Sequence, residues 1–223
     1  MERWLRIWLA AVCLIAGTGL TGPSGAAPAS PPAQKFVYSV HHSRYGRIGT
    51  YSNTIMHDGD QTSVKTEVRI AVSFLGFVVY RQEGLRQERW AGDRLVFFHG
   101  VTSTNGKSIE LNGTAEGDRF VLTTPQGATV APADVRIANP WSPGILGGNS
   151  IFTPDRGRLD EVRVSGGEAA SLDVDGRQVH AKKYEVYLLD GSKKYEVDLD
   201  EHGTPVQFVL FRPDGDVTFS LTG

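Results

Sequence analysis

Residues 64–72 read VKTEVRIAV, and this stretch decides the fold class. Its valines and its isoleucine stand at even-numbered positions, whereas its lysine, glutamate and arginine stand at odd-numbered positions. Successive side chains of a β-strand point to opposite faces, so a period of two predicts a strand with one face on a core and the other in water. Such half-buried strands are typical of antiparallel sheets.

The same period of two continues along the chain from Phe36. Further strands are predicted at residues 36–40, 94–99, 108–111, 119–123, 161–164, 178–187, 195–199, 206–212 and 217–221. The breaks between them hold turn dipeptides, of which Asn105-Gly106 and Asp214-Gly215 are the strongest hairpin signals. No segment shows a long amphipathic helical pattern. The sequence therefore predicts an all-β fold, a single curved antiparallel sheet that forms a half-barrel or barrel-like structure.

One stretch, residues 125–154, interrupts this rhythm. It contains Pro132, Pro140 and Pro143, followed by the glycine-rich residues 144–148. We expect a long irregular connection with one or two helical turns at most. Connections of this length inside a compact domain are usually functional or mobile, and a plain crossover between two halves of the sheet is the alternative.

The N-terminus has the features of a secretory signal peptide. Arg3 and Arg6 precede an apolar run at residues 7–20, which is too short to cross a bilayer core, since that requires about 20 apolar residues. Small residues follow at positions 24–27, and we place the cleavage after Ala26. Cleavage after the alanine at position 29 is the alternative.

This interpretation divides the chain into three parts. Residues 1–26 are the predicted signal peptide, residues 27–34 (APASPPAQ) a spacer rich in proline and alanine, and residues 35–223 a single antiparallel β domain. We expect an exported protein, either periplasmic or secreted, with no transmembrane segment in the mature chain.

Charge and cysteine content exclude several function classes for the mature chain. The signal peptide takes with it two of the 23 basic and one of the 25 acidic residues, which leaves a net charge of −3. Nucleic-acid-binding domains usually carry a strongly basic patch, so nucleic acid is not an expected partner. The single cysteine, Cys13, lies in the signal peptide, so disulfides, thiolate metal sites and a cysteine nucleophile are all excluded.

Common catalytic signatures are missing from the mature sequence. It has no nucleophile elbow, no HExxH motif, no Walker loop and no dinucleotide-binding GxGxxG fingerprint. We therefore predict no catalytic residue and no cofactor, and the sequence favours a non-enzymatic protein.

Two short clusters contain residues that bind metals in other proteins. His41 and His42 are adjacent, and residues 57–60 read HDGD. Adjacent residues of a strand face opposite sides, so only one of the two histidines can face a given site, and the Asp58-Gly59 pair is already explained as a turn. We predict no metal site.

Acidic pairs stand near several predicted strand ends: Asp173 with Asp175, and Asp198 and Asp200 with Glu201. Two carboxylates that face one cleft are the requirement for glycoside hydrolysis. Here each pair flanks a turn, so we predict solvated turn acids.

The most apolar stretch of the domain is residues 73–81, which read SFLGFVVYR. Such a run predicts either a central strand buried on both faces or the wall of an apolar groove. If it lines a groove, Phe74 and Phe77 contact the ligand, together with Trp90 and with Trp141, which lies in the irregular connection and could serve as a lid. Packing in the core is the alternative for both tryptophans.

Several spaced residues resemble known families. Six such groups stand in the first half of the domain: Tyr38-x-Val40, Gly46-x-Ile48-Gly49, Leu75-Gly76, Tyr80-Arg81, Glu88-x-Trp90-x-Gly92-x-Arg94-Leu95 and Thr104-Asn105-Gly106. They resemble an exported bacterial family known as a domain of unknown function. Three more groups stand in the second half: Val179-x-Ala181-Lys182-Lys183-Tyr184, Tyr195-x-Val197-Asp198 and Gly203-x-Pro205-Val206. They are similar to uncharacterised envelope proteins near the lipoprotein-localisation carriers. This resemblance implies a half-barrel whose apolar concave face is closed by a loop or a short helix.

Three functional hypotheses remain open on the sequence. The leading one is a non-enzymatic binding protein for an apolar, lipid-like ligand. The second is an envelope module that holds a protein partner through an exposed sheet edge and has a packed interior without a cavity. The third is a hydrolase, which requires His41 or His57 to share a cleft with an acidic side chain.

Overall fold

A computed structural model describes residues 32–141, 143–174 and 176–222. The predicted signal peptide, its cleavage site and the first residues of the predicted spacer lie outside the described residues. The described residues form fifteen β-strands and one 3-10 turn at Pro143–Leu146. The all-β prediction is confirmed.

The strands form two consecutive meanders. The first consists of β1 (Ala33–His42), β2 (Gly46–Asp58), β3 (Gln61–Phe74), β4 (Phe77–Ala91), β5 (Arg94–Thr104), β6 (Lys107–Glu116), β7 (Arg119–Thr124) and β8 (Gly127–Pro132). The second consists of β9 (Arg136–Ile137), β10 (Ser150–Phe152), β11 (Leu159–Val174), β12 (Arg177–Leu188), β13 (Lys193–Leu199), β14 (Pro205–Leu210) and β15 (Val217–Thr222).

The first and last strands join the two meanders into one sheet. β1 pairs with β15 in an antiparallel ladder, in which Tyr38 faces Leu221 and Val40 faces Phe219. The strand order is therefore β8-β7-β6-β5-β4-β3-β2-β1-β15-β14-β13-β12-β11-β10-β9. Every described pair is antiparallel except β9 with β10. β1 thus lies at the centre of the sheet, although it is the first strand in sequence.

The two edge strands of this sheet are neighbours in the chain, because only residues 133–135 separate β8 from β9. No ladder of hydrogen bonds joins β8 to β9 among the described residues, so the sheet curves round without closing. Aromatic packing holds its second end against its first. The ring centroid of Phe152 on β10 lies 5.1 Å from that of Phe98 on β5 and 6.2 Å from that of Phe120 on β7. The predicted curved half-barrel is confirmed.

Residues 125–154 were expected to form an irregular connection, but much of this stretch is ordered structure. It contains β8, β9, the 3-10 turn and β10. The part after β8 crosses the interior of the curved sheet, and we call its described residues, 133–141 and 143–152, the crossing segment. The hydroxyl of Tyr38, on the central strand, lies 2.9 Å from the carbonyl oxygen of Pro140 and 3.0 Å from that of Pro205. The segment therefore fills part of the interior, where the resemblance implied a closing loop.

Two apolar clusters make up most of the core. The first surrounds Tyr51, Phe208 and Phe219, and the second surrounds Phe98 and Phe120. The crossing segment contributes to both. Its residues Ile145 and Ile151 pack in the first cluster, and Val135, Ile137 and Phe152 pack in the second.

The apolar stretch at residues 73–81 is neither a buried central strand nor one continuous strand. Leu75 and Gly76 form the turn between β3 and β4, with φ angles of 50° and 83°, so the stretch folds back on itself as a hairpin. Phe74 is 58% exposed and Phe77 is 75% exposed. The sequence interpretation was wrong because it treated the Leu-Gly dipeptide as part of a strand.

Two interior glycines make room for the aromatic cluster. A Cβ atom on Gly113 of β6 would lie 2.5 Å from the ring of Phe120, and one on Gly100 of β5 would lie 2.9 Å from the ring of Phe98. Real Cβ atoms do not approach ring carbons so closely. Both rings are completely buried.

We expect Gly113→Val to destabilise the domain by about 1–3 kcal/mol, because the buried Phe120 ring would have to leave its position. Urea denaturation measures this difference. Gly113→Ala adds only the Cβ atom and should also destabilise the domain; Gly84→Ala is its matched control, since a Cβ atom at Gly84 meets its nearest neighbour, Val68, at an ordinary 3.4 Å. A Gly113→Val variant as stable as the control would show that the ring packing described here is wrong.

Candidate functional site

A cavity of about 590 Å³ lies inside the curved sheet. It opens at the end of the sheet that carries the turns β10–β11, β12–β13 and β14–β15, and we call this end the mouth end. In an antiparallel meander every second turn lies at the same end, so the turns β1–β2, β3–β4 and β5–β6 also belong to the mouth end. The opposite end carries the turns β2–β3, β4–β5 and β13–β14.

The inner wall of this cavity is largely apolar. Tyr51, Val68 and Ile70 line it from β2 and β3, and Phe208 and Phe219 line it from β14 and β15. Two residues of the crossing segment, Ala138 and Pro140, also contribute to the lining. The cavity is therefore the part of the interior that the crossing segment leaves unfilled.

Basic side chains dominate the charged groups around the cavity. Six basic residues line it, against one acidic residue, Asp155; the basic residues are Arg86, Arg156, Arg158, Lys193, Lys194 and Arg212. Four of the six have carboxylate partners. Lys194 pairs with Asp160, Lys193 pairs with Glu185, Arg158 lies 3.2 Å from Asp160, and Arg156 lies 3.6 Å from Asp155.

The other two, Arg86 and Arg212, form no ion pair with any described carboxylate. Arg212 is exposed at the mouth end. Arg86 is only 6% exposed, and its contact with the Tyr51 hydroxyl is long, at 3.5 Å. Its Nε atom has no hydrogen-bond partner among the described residues. A buried guanidinium with unused donors is a ready binding group for carboxylate or phosphate oxygens.

Glu88, two residues along β4 from Arg86, anchors the crossing segment. Its Oε2 atom accepts hydrogen bonds from the indole N–H groups of Trp90, at 3.0 Å, and Trp141, at 3.2 Å. Its Oε1 atom accepts one from the side-chain amide of Asn139, at 3.1 Å. Burial raises the pKa of the Glu88 carboxyl to about 7, although these donors and the Arg86 charge favour its ionised form.

A second cavity, of about 380 Å³, lies toward the opposite end of the sheet. Trp90 and Trp141 line it, as do His57 and Asp93. The hydrolase hypothesis required a histidine and an acid in one cleft, and these two residues meet that condition. No described hydrogen bond or ion pair joins them, and His57 Nδ1 instead lies 3.0 Å from the Thr62 hydroxyl.

The four residues predicted from sequence as ligand contacts do not lie together. Phe74 and Phe77 are at the exposed β3–β4 turn and do not line either of these cavities. Trp90 is buried and Trp141 is half-buried, with ring centroids 6.0 Å apart in an edge-to-face arrangement beside Glu88. The two tryptophans thus bound the smaller cavity and help to hold the crossing segment.

Sequence reasoning missed Arg86, Glu88 and Asn139. A signal was present for the first two, because they share the even-numbered positions of β4 with Trp90 and so face the interior with it. Charged residues on the inward face of a strand need a partner or a function. Nothing in the local sequence of Asn139 indicates its partner, which is 51 residues away.

The acidic residues near strand ends have different roles. Asp173 accepts a hydrogen bond from the Gly176 amide, and Asp200 accepts bonds from the amides of His202 and Thr204, as expected of turn acids. Asp198 was predicted to be solvated, and this is wrong, because it is 1% exposed. Burial raises the pKa of its carboxyl to about 6. Asp175 lies outside the described residues.

Metal ligands do not converge in the described part of the chain, where no group of three or more histidine, cysteine, aspartate or glutamate residues could hold an ion. His42 is buried and accepts a hydrogen bond from the Arg44 amide, whereas His41 is exposed. Within the same residues, no helix has the length and apolar character needed to cross a membrane.

The raised pKa of Glu88 predicts how stability depends on pH. Between pH 4.5 and 7 the folded protein keeps a proton on Glu88 that the unfolded chain releases, so stability falls as pH rises through this range. The full contribution is about 3 kcal/mol. We expect Glu88→Gln to remove the part of the decline above pH 6, as measured by urea denaturation at a series of pH values.

Asp198→Asn is the matched control for this measurement. Burial raises the pKa of Asp198 to about 6, so this variant should have a shallower decline between about pH 4 and 6, where Glu88 still contributes, and keep the full decline above pH 6. If the control also flattens the range above pH 6, the assignment of that range to Glu88 is wrong.

Comparison with solved structures supports the fold. The chain is similar to a β-barrel-like protein of domain of unknown function DUF1849 from Brucella abortus, with a TM-score of 0.63 and 10% sequence identity over 86% of this chain and 96% of that one. It also matches a DUF1089 family protein from Pseudomonas aeruginosa, with a TM-score of 0.37 and 14% identity over 81% of this chain and 92% of that one. The first likeness concerns the fold alone, and the second carries no argument.

Comparison with curated proteins gives no match. Comparison with protein families does, and the match extends over residues 38–222, which include all the strands from β2 to β15 and every residue that lines the 590 Å³ cavity. The chain belongs to the DUF6134 family, a domain of unknown function.

Proposed function

We propose that this protein binds, without catalysis, a lipid-like molecule that has an apolar body and an acidic head group, and that it does so in the 590 Å³ cavity. The observation that carries the proposal is Arg86. A guanidinium that is buried, lines a largely apolar cavity and has an Nε–H donor without a partner among the described residues can bind an anionic oxygen there, in addition to its interaction with the nearby Glu88 carboxyl.

The size and lining of the cavity support this choice of ligand. Small-molecule sites commonly enclose about 300–1,000 Å³ and have mostly apolar walls with a few polar groups. Phe208, Phe219 and Val68 would pack against the apolar body, and Arg86 would bind the acidic oxygens. Among the described residues that line this cavity there is no histidine or cysteine, which favours binding over hydrolysis there.

The cavity also weighs against the envelope-module alternative. That hypothesis requires a packed interior, because a module that only presents a sheet edge gains nothing from an internal space. An open cavity of this size leaves apolar side chains of the interior in contact with water, so the chain loses the free energy of burying them. A ligand that fills it recovers part of that free energy.

We expect a long-chain fatty acid and a lysophosphatidic acid to bind, and the corresponding fatty alcohol to bind more weakly, in isothermal titration calorimetry. The two acids separate carboxylate from phosphate as the preferred head group. Arg86→Met keeps much of the apolar bulk and removes the charge, so it should weaken binding of the preferred acid by about tenfold to a hundredfold. Binding of the alcohol should change little.

Arg89→Met is the matched control, since Arg89 lies on the outward face of the same strand and its guanidinium stacks on Phe97. It should bind the acids like the unchanged protein. Equal binding of acid and alcohol, or equal loss in both arginine variants, would contradict the assignment of the head group to Arg86. Melting temperatures of both variants must be measured first, because Arg86 also lies near Glu88.

The proposal includes export, on the basis of residues 1–26. Expressed from its full sequence in a Gram-negative host, the protein should be recovered from the periplasmic fraction with Ala27 as its first residue. Intact mass spectrometry of that fraction checks this. A product that retains residues 1–26 would contradict export through a cleaved signal peptide.

A further inference from the structure

The β3–β4 hairpin projects beyond the strands on either side of it. The ladder of β3 with β2 ends at Ile70, and the ladder of β4 with β5 begins at Gln82. The backbone of Arg81 still bonds to Asn105 of the β5–β6 turn. Beyond it the hairpin pairs only with itself, from Val72 with Tyr80 to Phe74 with Phe77. The result is a two-stranded ribbon that extends from the mouth end of the sheet.

The tip of this ribbon is apolar and exposed. Five side chains at residues 74–79 are between 52% and 81% exposed: Phe74, Leu75, Phe77, Val78 and Val79. Contiguous exposed apolar surface of this kind on a soluble domain usually marks a site of interaction. A two-stranded ribbon is also marginally stable by itself in water, so a partner that covers the tip would stabilise it.

The turn at the tip has an apolar residue in a backbone conformation that is unfavourable for it. Leu75 has a φ of 50°, a left-handed conformation that branched apolar residues rarely adopt. The β5–β6 turn has almost the same geometry, with φ angles of 49° and 80°, and carries Asn105-Gly106, the residues that this turn favours. Leu75 is 81% exposed, so packing within the chain does not compensate for its strain.

Basic residues flank the ribbon on its own strands and on the turns to either side, while the β14–β15 turn, beyond the β1–β2 turn, carries Asp214 and Asp216. Residues 41–56, 68–82 and 99–109, which include the three neighbouring turns at this end, contain five basic residues and no acidic residue. All five are exposed: Arg44, Arg47, Arg69, Arg81 and Lys107. Arg44, Arg47 and Lys107 form no ion pair with any described residue.

From this arrangement we infer that the β3–β4 hairpin docks the protein on an anionic lipid bilayer, with the apolar tip inserted and the basic residues against the head groups. Apolar side chains next to basic ones are the pattern by which peripheral proteins bind anionic membrane surfaces. A second copy of the chain fits less well, because a two-fold contact through the tip would bring the two sets of basic residues together.

Docking in this way would place the mouth of the cavity next to the membrane surface. Ile70 and Gln82 are the last residues before the ribbon on its two strands, and both line the 590 Å³ cavity. The mouth of the cavity and the apolar tip therefore lie at the same end of the sheet. The docking inference itself does not require the cavity to hold a ligand.

Leu75→Asn tests the inference without threatening the fold. Asparagine is favoured in this turn, so the variant should be at least as stable as the unchanged protein. In flotation experiments with vesicles of equal parts phosphatidylcholine and phosphatidylglycerol, we expect it to bind about tenfold more weakly, because an inserted leucine is lost. Leu85→Thr, which removes an exposed leucine from the middle of β4, should bind normally.

Charge is tested separately. The unchanged protein should bind vesicles of phosphatidylcholine alone only weakly, and raised salt or the double variant Arg44→Gln/Arg47→Gln should weaken its binding to the anionic vesicles. Leu75 does not line the cavity, so Leu75→Asn should still bind the free fatty acid in calorimetry, which separates docking from the proposed cavity function. Normal vesicle binding by Leu75→Asn, no binding by the unchanged protein, or a dimer that Leu75→Asn abolishes in sedimentation velocity would each overturn the inference.

Discussion

The interior of this protein depends on the hydrogen bonds that the buried carboxylate of Glu88 accepts. A chain segment that crosses the inside of a curved sheet brings polar groups with it, and each buried donor without an acceptor costs about 1–3 kcal/mol. Asn139 and Trp141 bring two such donors, and Trp90 adds a third from the sheet. One carboxylate accepts hydrogen bonds from all three donors, which fixes the position of the crossing segment inside the sheet. Ala138 and Pro140 then line the larger cavity, and Trp141 lines the smaller one.

The width of the sheet explains why a crossing segment is present. The space enclosed by a curved sheet grows with the number of strands, and side chains alone fill it only when there are about eight. Fifteen strands enclose more space than their side chains can fill. In one half of the interior, Phe98, Phe120 and Phe152 close the gap over Gly100 and Gly113. In the other half the rings of Tyr51, Phe208 and Phe219 pack against one another and line the larger cavity without filling it.

The sequence was sufficient for the fold class and insufficient for the interior, and the physical reason is the range of the interactions. Alternation at residues 64–72 and the turn at Asn105-Gly106 are local, and both gave correct predictions. The contact between Glu88 and Asn139 joins two segments that no local pattern relates. The prediction for residues 73–81 failed for a different reason. Their alternation is absent because both faces are apolar, and apolar character does not distinguish a buried strand from an exposed hairpin.

The distribution of charge gives the surroundings of the β3–β4 hairpin a character that the composition conceals, whereas other turns of the mouth end carry Asp155, Asp190, Asp214 and Asp216. The whole chain has a net charge of −2, and acidic and basic residues are almost equal in number. Opposite charges usually mix on a protein surface, because mixing lowers the repulsion between like charges. Around the β3–β4 hairpin the nearest acidic residues along the two strands are Glu67 and Glu83, which pair with Arg69 and Arg81. Beyond these pairs, toward the tip, every charged group is basic and the remaining surface is apolar. A sequence that was selected only for solubility would place acidic residues there, so the lack of them at the most apolar point of the surface argues for a partner that is itself acidic and apolar.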